Sequence, residues 1–459
     1  MTATFSRCAF PTRLTLLAAA AIAVTLPAHA ADGELVGWAQ MPANTFSEGP
    51  TSGQFATSNF PGSNPLPLVG LQPVQGFSGV LAGPVAGTYH VMTDNGFGNK
   101  ANSADALLRT YAVTPDFKRW VGGAVVGAGS IGAANYQTGA ALPSFTANSH
   151  INLRDPDRKL GFTIQADYTH YYNNAANPLV DSSIRSGRLL TGADLDVESM
   201  RKDKNGNVWY GDEFGPFLVK TDATGKVLRQ EIALPGVQSP DNPHLGSGAP
   251  NLNRSAGFEG MAINKSGDRL FTLLEGTVAG DPEKSLRINQ FNIDTESFEA
   301  ASALYKLDPL GTNIGDMTAI DDHRFLVIER NGATATGGSP FKKVYQIDID
   351  QLDADGYAKK TEVIDLMNLK DAHDLNGDGS TTFTFPYVTI EDIVIVDANT
   401  VMIINDNNYP GGGGRGNFAD NTEFLLVSLT TAVPEPQTYA LMLAGLGMIG
   451  FVGFRRARR

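Results

Sequence analysis

The chain has 459 residues, of which 42% are hydrophobic and 50 are glycine, and it carries 48 acidic residues against 35 basic ones. The apolar fraction excludes a mostly disordered chain, and the glycine content is typical of a β protein with many turns. The net charge of −13 argues against nucleic-acid binding, because phosphate backbones are bound by basic surfaces. An acidic chain of this kind is better suited to binding a cation.

The N-terminal residues 1–30 are typical of a secretory signal peptide. Two arginines precede an apolar run from Leu14 to Leu26, which leads to Ala28-His29-Ala30, a small-residue cleavage site. The only cysteine, Cys8, would be removed with this segment. We therefore expect an exported protein whose mature form has neither a disulfide nor a thiolate metal site.

A pattern of two apolar runs around a polar turn recurs five times in the body of the chain. Such a pattern predicts a β-hairpin, and in a hairpin the start of the first strand and the end of the second lie at the same end. The acidic residues of each repeat therefore share one rim. The first runs begin at Phe77-Ser78-Gly79, Val197-Glu198-Ser199, Phe258-Glu259-Gly260, Ile314-Gly315-Asp316 and Ile390-Glu391-Asp392, and the second runs end at Asp94, Asp212-Glu213, Glu275, Glu329 and Asp406.

Further apolar runs after each hairpin predict four antiparallel strands per repeat, which is one blade of an all-β, β-propeller fold. The spacing predicts six blades, with five or seven as alternatives, because the interval from Ser78 to Glu198 is about twice the usual one. Residues 121–190 in that interval are either a blade or an insertion that covers the mouth of the channel. We expect Glu34–Ala39 to supply the last outer strand and close the ring, so that the domain spans residues 31–432.

If the blades close around a channel, the acidic rim positions converge at its mouth. Uncompensated carboxylates there repel one another and either take up protons or bind a cation. Oxygen ligands without cysteine favour Ca²⁺, with Mg²⁺ or Mn²⁺ as alternatives. The other interpretation is that each acid caps a turn between blades. The predicted metal ligands are Glu198, Asp212, Glu213, Glu259, Glu275, Asp316, Glu329, Glu391 and Asp406.

A second predicted calcium site is the loop that contains Asp374, Asn376 and Asp378. Their alternation before a glycine matches the first half of an EF-hand loop. Phe385 stands where an EF-hand has its bidentate glutamate, so a regulatory EF-hand is not expected. The loop is either locally stabilised by calcium or an ordinary polar turn.

The C-terminal residues 433–459 form a separate segment. Val433-Pro434-Glu435-Pro436 is followed by an apolar stretch from Tyr439 to Phe454 and by a cluster of four arginines. The apolar stretch lies at the short limit of what spans a bilayer, with the arginines on the cytoplasmic side. The segment resembles the PEP-CTERM sorting signal, which implies cleavage by an exosortase-type protease and transfer to the cell surface or release. We expect membrane contact only through this segment, before processing.

Several short motifs in the body resemble the phytase-like family, which is described as having esterase-like activity. The resemblance runs from about Gly76 to Leu429 and implies a β-propeller that hydrolyses phosphoric or carboxylic esters. The motifs are Asp94-Asn95-Gly96-Phe97-Gly98, Leu195-Asp196-Val197-Glu198-Ser199-Met200, Gly211-Asp212-Glu213-Phe214-Gly215-Pro216, Gly257-Phe258-Glu259-Gly260-Met261-Ala262, Leu274-Glu275-Gly276 and Phe325-Leu326-Val327-Ile328-Glu329-Arg330-Asn331-Gly332.

Together these features predict an exported, calcium-dependent ester hydrolase that acts on small anionic esters, phosphate monoesters in preference to carboxylic esters. Glu198 or Glu259 would orient a metal-bound water, and Arg330 would hold the anionic group. One alternative is a non-catalytic, calcium-stabilised propeller of the cell surface or the exopolysaccharide matrix. Another is a lactonase-type propeller with one metal in its channel.

Overall fold

The computed structural model describes residues 33–57, 60–299 and 303–429. The predicted signal peptide and the C-terminal segment lie outside the described residues. The first ten strands are β1 Glu34–Met41, β2 Phe46–Glu48, β3 Leu71–Pro73, β4 Phe77–Ala82, β5 Tyr89–Thr93, β6 Arg109–Asp116, β7 Arg119–Val121, β8 Ala124–Val126, β9 Ser130–Ala133 and β10 His150–Asn152. Two 3-10 turns and a short helix follow, at Gln165–Asp167, at Tyr171–Asn173 and as α1 Ser182–Gly187.

The remaining strands form four regular groups. They are β11 Val197–Lys202, β12 Val208–Asp212, β13 Phe217–Thr221, β14 Ile232–Ala233, β15 Phe258–Ile263, β16 Arg269–Leu274, β17 Ser285–Asn292, β18 Ser297–Phe298, β19 Ala303–Lys306, β20 Asn313–Ala319, β21 Arg324–Arg330, β22 Lys342–Leu352, β23 Ala358–Asp365, β24 Leu369–Lys370, β25 Thr382–Phe383, β26 Thr389–Asp397, β27 Thr400–Asp406 and β28 Thr422–Ser428.

The strands build a β-propeller, which confirms the predicted fold class. The blades are β4-β5-β6-β9, β11-β12-β13-β14, β15-β16-β17-β18, β20-β21-β22-β23 and β26-β27-β28-β1. Their inner strands β4, β11, β15, β20 and β26 pack in that order, and β26 packs against β4 to close the ring. The described residues thus contain five blades around the axis, so the predicted count of six is not confirmed.

The ring closes through the N-terminal strand, as the sequence predicted. Strand β1 pairs antiparallel with β28 from Glu34 opposite Ser428 to Met41 opposite Thr422. Leu35 and Trp38 are buried in the core that this blade shares with its neighbour. Each fully buried side chain of this size stabilises the fold by about 1.5–3 kcal/mol, so closure rests on apolar burial as well as on strand pairing.

The long interval between the first two inner strands holds an insertion and no additional blade. Strands β6, β9 and β10 in it belong to the first blade, and β7 and β8 form a separate two-stranded hairpin. The rest is turns and the short helix α1. The Tyr172 hydroxyl donates to the Lys100 carbonyl oxygen at 3.2 Å, so the insertion packs onto a loop of the rim.

The predicted hairpin turns are present where the sequence placed them. In the turn between β11 and β12, Gly206 has a φ of +85°. The Asp203 carboxylate accepts hydrogen bonds from the backbone N–H groups of Asn205 and Asn207, each at 2.9 Å. Glycine is favoured at such a positive φ, which is why these turns are recognisable in the sequence.

Every inner strand breaks its register near its start. The breaks lie between Phe77 and Gly79, Val197 and Ser199, Phe258 and Gly260, Ile314 and Met317, and Ile390 and Asp392. A β-bulge inserts an extra residue and re-aims its side chain. The repeated sequence position that carries Glu198, Glu259 and Glu391 is therefore the bulged position of each strand.

Among the described residues, no helix is both long enough and apolar enough to cross a membrane. The apolar stretch from Tyr439 to Phe454, for which we predicted a span, lies outside the described residues.

Candidate metal centre at the mouth of the channel

Two rings of side chains surround the mouth of the channel. One ring comes from the first strand of each blade and the other from the second strand. The bulges of the inner strands contribute the first ring, and the positions at the ends of the second strands contribute the second. The first ring is Ser78, Glu198, Glu259, Gly315 and Glu391, and the second is Asp94, Glu213, Glu275, Arg330 and Asp406. Seven of the ten residues are acidic and one is a cation.

Arg330 is the cation among them, and it holds three glutamates together. Its Nη2 donates to Glu259 Oε1 at 3.1 Å, to Glu275 Oε1 at 3.1 Å and to Glu391 Oε1 at 3.0 Å. The other oxygen of Glu391 accepts from the Ser78 hydroxyl at 2.8 Å. Side chains from four blades are thus joined by contacts at the axis, as closure of the ring requires.

The carboxylates form two overlapping groups with the spacing of a cation site. In the first group, Asp196, Glu198 and Glu213 each have one oxygen within 4.8 Å of the other two. The second group, Glu213, Glu259 and Glu275, meets the same limit. Ca²⁺ binds oxygens at about 2.3–2.6 Å, so ligands on opposite sides of one ion are about 5 Å apart. Either group could therefore supply several ligands to a single ion.

Asp196 provides an independent sign that a ligand belongs here. Its side chain is 2% exposed, and its Oδ1 has no hydrogen-bond partner. A buried carboxylate oxygen without a partner is costly, and a cation or a proton would satisfy it. The donor set is all oxygen, which suits a hard divalent cation such as Ca²⁺.

Burial and mutual repulsion raise the pKa values of the clustered acids. Desolvation is the largest cause in each case, and the neighbouring carboxylates raise the values further. The pKa of Glu275 rises to about 7 through burial, although the Arg330 guanidinium opposes the shift. The pKa values raised well above their usual range belong to Asp94, Glu198, Glu213, Glu259 and Asp406. The cluster is therefore fully ionised near neutral pH only if a further cation compensates it.

Three predicted ligands lie elsewhere, and their assignment is corrected. Both Asp316 oxygens accept from Arg201 Nη2 at 2.7 Å, because the bulge of its strand gives the ring position to Gly315. The Asp212 carboxylate accepts from the backbone of Asp196 and Gly215 at 2.9 and 2.8 Å, and so it caps a turn.

Glu329 is the third corrected ligand. It points away from the ring because successive side chains of a strand alternate and Arg330 occupies the inward position. Its carboxylate pairs with Lys360 and accepts from the Tyr305 hydroxyl at 2.5 Å and from the Asp308 backbone at 2.6 Å.

The second predicted calcium loop has the geometry of a polar turn. Asp374 Oδ1 accepts from the Gly379 backbone at 3.0 Å, and Asp378 Oδ1 accepts from the Ser380 backbone at 2.8 Å. Asn376 donates to the other Asp378 oxygen at 2.9 Å. Because these carboxylate oxygens already accept hydrogen bonds from within the loop, the structure favours the polar-turn interpretation.

Sequence reasoning missed three residues of the centre. Asp196 lies two residues before Glu198, a spacing that puts both on one side of an extended chain, so the signal was present. Asp94 ends a second strand like the other acids but was not included among the ligands. Lys342 carried no sequence signal: it is buried beside Arg330, its Nζ donates to the Val388 carbonyl oxygen at 3.3 Å, and burial lowers its pKa to about 7.

Two positively charged side chains that are accessible to solvent lie beside the mouth of the channel. A pocket of about 550 Å³ is lined by Lys100, Tyr172, Asp241 and Arg254. Lys100 lies over the Phe214 ring at 4.9 Å and donates to the Asp241 carbonyl oxygen at 3.3 Å, and Arg254 pairs with the Asp241 carboxylate. These two cations could meet an anionic group that approaches the acidic rings.

The chain matches two models of protein families. The family described as esterase-like activity of phytase matches residues 72–409. The PEP-CTERM protein-sorting motif matches residues 432–459 and identifies an exported protein of the bacterial cell envelope surface. A comparison with curated proteins finds no significant match.

Several solved structures are distantly similar to the chain. A luciferin-regenerating enzyme matches 80% of this chain and 83% of its own, with 9% identity and a TM-score of 0.35. The periplasmic gluconolactonase of Pseudomonas aeruginosa matches over 87% and 100%, with 13% identity and a TM-score of 0.32. An exo-β-1,3-galactanase from Phanerochaete chrysosporium matches over 82% and 63%, with 9% identity and a TM-score of 0.34. Likenesses this distant carry no argument about function.

Proposed function

The chain belongs to the phytase-like family, and on that premise we propose that it is a calcium-dependent ester hydrolase of the cell envelope, acting on phosphate monoesters in preference to carboxylic esters. The observation that carries the proposal is the cluster of seven ring carboxylates and Asp196, in which one guanidinium, that of Arg330, pairs with only three of the carboxylates. Such an excess of buried negative charge fits a site that holds a divalent cation.

Asp196, Glu198, Glu213, Glu259 and Glu275 are the residues that would hold the ion. When bound, Ca²⁺ supplies a Lewis acid for a phosphoryl or acyl oxygen and lowers the pKa of a bound water. A carboxylate of the group that is not engaged as a ligand, Glu198 or Glu259, would orient that water and accept its proton.

The role first predicted for Arg330 needs adjustment. Its Nη2 is already shared among three glutamates, and the residue is only 6% exposed. We assign it to positioning these glutamates. Lys100 and Arg254 at the mouth are better placed to meet the anionic group of a substrate, because Arg254 is more than half exposed.

A second function is favoured by the deep burial of the same carboxylates. Glu198 is 9% exposed and Glu259 is 3% exposed, which leaves little room for a substrate to touch them. A cation held in such a place could be purely structural and join the five blades. The protein would then be a non-catalytic, calcium-stabilised propeller of the envelope or its matrix.

Hydrolysis assays separate the two functions. We would test the purified exported chain on p-nitrophenyl phosphate, p-nitrophenyl acetate and a simple lactone, with Ca²⁺ and with chelator. The proposal predicts calcium-dependent turnover of the phosphate ester, and at least a roughly hundredfold loss in the Glu198→Gln/Glu259→Gln double variant. The matched control is Glu329→Gln, which removes a carboxylate outside the rings.

The pattern of outcomes is decisive. Turnover that survives the double substitution would refute the assigned roles. A calcium-induced rise in melting temperature without turnover of any ester would favour the non-catalytic function. Turnover of the lactone alone would point to a lactonase-type hydrolase.

A further inference from the structure

A hairpin with exposed apolar side chains projects from the first blade. Strands β7 and β8 pair only with each other, Trp120 opposite Val125 and Arg119 opposite Val126. Trp120 is 45% exposed, Val121 57%, Val125 41% and Val126 45%. The register places Trp120 and Val125 on one face of the hairpin and Val121 and Val126 on the other, and we call these four exposed side chains the patch. An isolated two-stranded hairpin is marginal in water, and exposed apolar side chains concentrated in one element mark an interaction site.

The hairpin lies away from the acidic rings. The rings lie where inner strands begin and second strands end, and each third strand begins at that same end. The hairpin follows the far end of the third strand β6, at Asp116. A partner on the hairpin would therefore leave the mouth of the channel open.

The patch is beside the point where the C-terminal chain leaves the propeller. The last strand, β28, ends at Ser428 opposite Glu34, and Glu34 in turn pairs with Lys370. Three residues beyond Lys370, the His373 ring stacks on Trp120 with centroids 4.1 Å apart and planes at 6°. A short series of direct contacts thus links the hairpin to the end of β28.

The tether beyond this point is short. Residues 430–438 separate the described chain from the apolar stretch that begins at Tyr439. Nine residues span at most about 30 Å when fully extended. As long as the C-terminal segment sits in a bilayer, this side of the propeller is confined close to the lipid surface. Confinement raises the effective concentration of the patch at that surface.

The charges around the hairpin favour an apolar contact over an electrostatic one. Lys118 lies over the Trp38 ring and Arg119 over the Phe117 ring, at 5.2 and 5.3 Å, so both cations next to the hairpin rest against aromatic side chains. Asp374 and Asp378 follow His373 closely in the chain and would oppose attraction to anionic lipids. Tryptophan and valine, by contrast, are suited to the bilayer interface and its apolar boundary.

We propose that the β7–β8 hairpin rests in the interface of a lipid bilayer while the C-terminal segment tethers the chain. The contact fixes the orientation of the propeller so that the acidic mouth faces away from the membrane. It is independent of whether the acidic rings are catalytic.

Tryptophan fluorescence tests this contact in the full chain reconstituted into phosphatidylcholine vesicles. The chain has three tryptophans, and Trp38 and Trp209 are 6% and 0% exposed, so lipid-borne quenchers report on Trp120. Brominated acyl chains quench only at contact range. The Trp120 emission is measured as the difference in emission between the wild type and Trp120→Phe. We expect brominated lipids to remove most of it.

A double substitution separates an apolar contact from mere proximity. Val125→Ser/Val126→Ser keeps Trp120 and should lose the quenching, whereas Val69→Ser, which alters a valine that is 77% exposed in a loop elsewhere, should not. Higher salt should leave the quenching unchanged. Equal emission in brominated and ordinary vesicles, or quenching that the double substitution leaves intact, would overturn the proposal. Because all the altered side chains are exposed, the variant proteins should melt at the same temperature as the wild type. Equal melting temperatures would exclude misfolding as the cause of lost quenching.

Discussion

The direction of a single side chain decides which residue of a neighbouring pair takes part in the centre. Glu329 and Arg330 are adjacent and both charged, yet Arg330 reaches three glutamates at the axis while Glu329 pairs with Lys360. The alternation of a β-strand is a local rule, so the sequence limits the choice to two faces. It does not say which face is inward, because charged residues occupy both.

Removing the central cation should destabilise the metal-free protein strongly. Arg330→Gln leaves Glu259, Glu275 and Glu391 buried without their cation, and breaking such a buried pair costs about 3–5 kcal/mol. Urea unfolding in chelator measures the loss. Arg254→Gln, which breaks a pair with Asp241 whose arginine is more than half exposed, is the control and should cost less than about 1 kcal/mol. Equal effects of the two substitutions would contradict the ring of contacts.

A glutamate inside the carboxylate groups and a glutamate outside them should differ in their effect on calcium binding. Glu275→Gln removes a member of the carboxylate groups, and we expect calcium affinity to fall at least about tenfold, which corresponds to 1.4 kcal/mol. Glu329→Gln should leave the affinity unchanged, because its carboxylate lies outside the groups. Isothermal titration calorimetry measures both. A loss of affinity in Glu329→Gln as large as that in Glu275→Gln would return Glu329 to the ligand set.

At the scale of the strand, the bulge is the device that aims the acids. The same register break recurs at the start of all five inner strands, and it places one residue per blade at the axis. In the fourth blade that residue is Gly315, which has no side chain to contribute. A Cβ there would lie 2.2 Å from the Ile390 carbonyl oxygen, so the two blades approach one another too closely for a larger residue.

Substitution of this glycine tests the close approach. Gly315→Ala should destabilise the protein by about 1–3 kcal/mol, since overpacking forces the neighbouring backbone to shift. Gly332→Ala is the matched control on the same blade, because nothing lies within 4 Å of its added Cβ. Thermal unfolding compares them. If Gly315→Ala melts with the control, the blades are not packed as described.

The elements that depend on local pattern could be predicted, and those that depend on long-range packing could not. The hairpins, their turns and the closing strand β1 were evident from apolar runs and turn residues. The number of blades was not, because the short strands of the insertion resemble those of a blade and only their pairing with β6 tells them apart. The exclusion of Asp316 from the ring, by contrast, has a signal in the sequence, because Ile314-Gly315-Asp316 aligned with Val197-Glu198-Ser199 places Gly315 at the repeated position.

At the scale of the whole molecule, closure of the ring converts scattered acids into one electrostatic unit. Residues as far apart in sequence as Ser78 and Glu391 meet at 2.8 Å. The unit binds protons in the folded state more tightly than in the unfolded state, since burial raises the pKa values of its carboxyl groups. Stability should therefore depend on pH and on divalent cations together.

The direction of that dependence follows from the raised pKa values. Without metal, the folded cluster holds protons that the unfolded chain releases between the usual glutamate pKa of 4.5 and the raised value of about 7 for Glu275. Its contribution to stability is complete below pH 4.5 and is lost as the pH rises through about 7. We expect the melting temperature in chelator to fall across this window.

Calcium should reverse the fall in melting temperature, because a bound Ca²⁺ compensates the carboxylates that protons compensate at lower pH. A ligand that binds only the folded state stabilises it according to its concentration relative to the dissociation constant. The calcium-induced rise in melting temperature should be small at about pH 5 and large at about pH 8, since ionised carboxylates are the ligands. Scanning calorimetry measures it. A rise that is independent of pH, or larger in acid, would argue against carboxylate ligands with raised pKa values.

The most direct measurement is anomalous diffraction from crystals of the protein grown with Mn²⁺ in place of Ca²⁺. The account predicts an anomalous peak at the mouth of the channel, within ligand distance of oxygens from Glu213 and its neighbours in the two carboxylate groups. A clear peak at the Asp374–Asp378 loop alone, or crystals in which the rings of acids hold no ion at saturating metal, would contradict it.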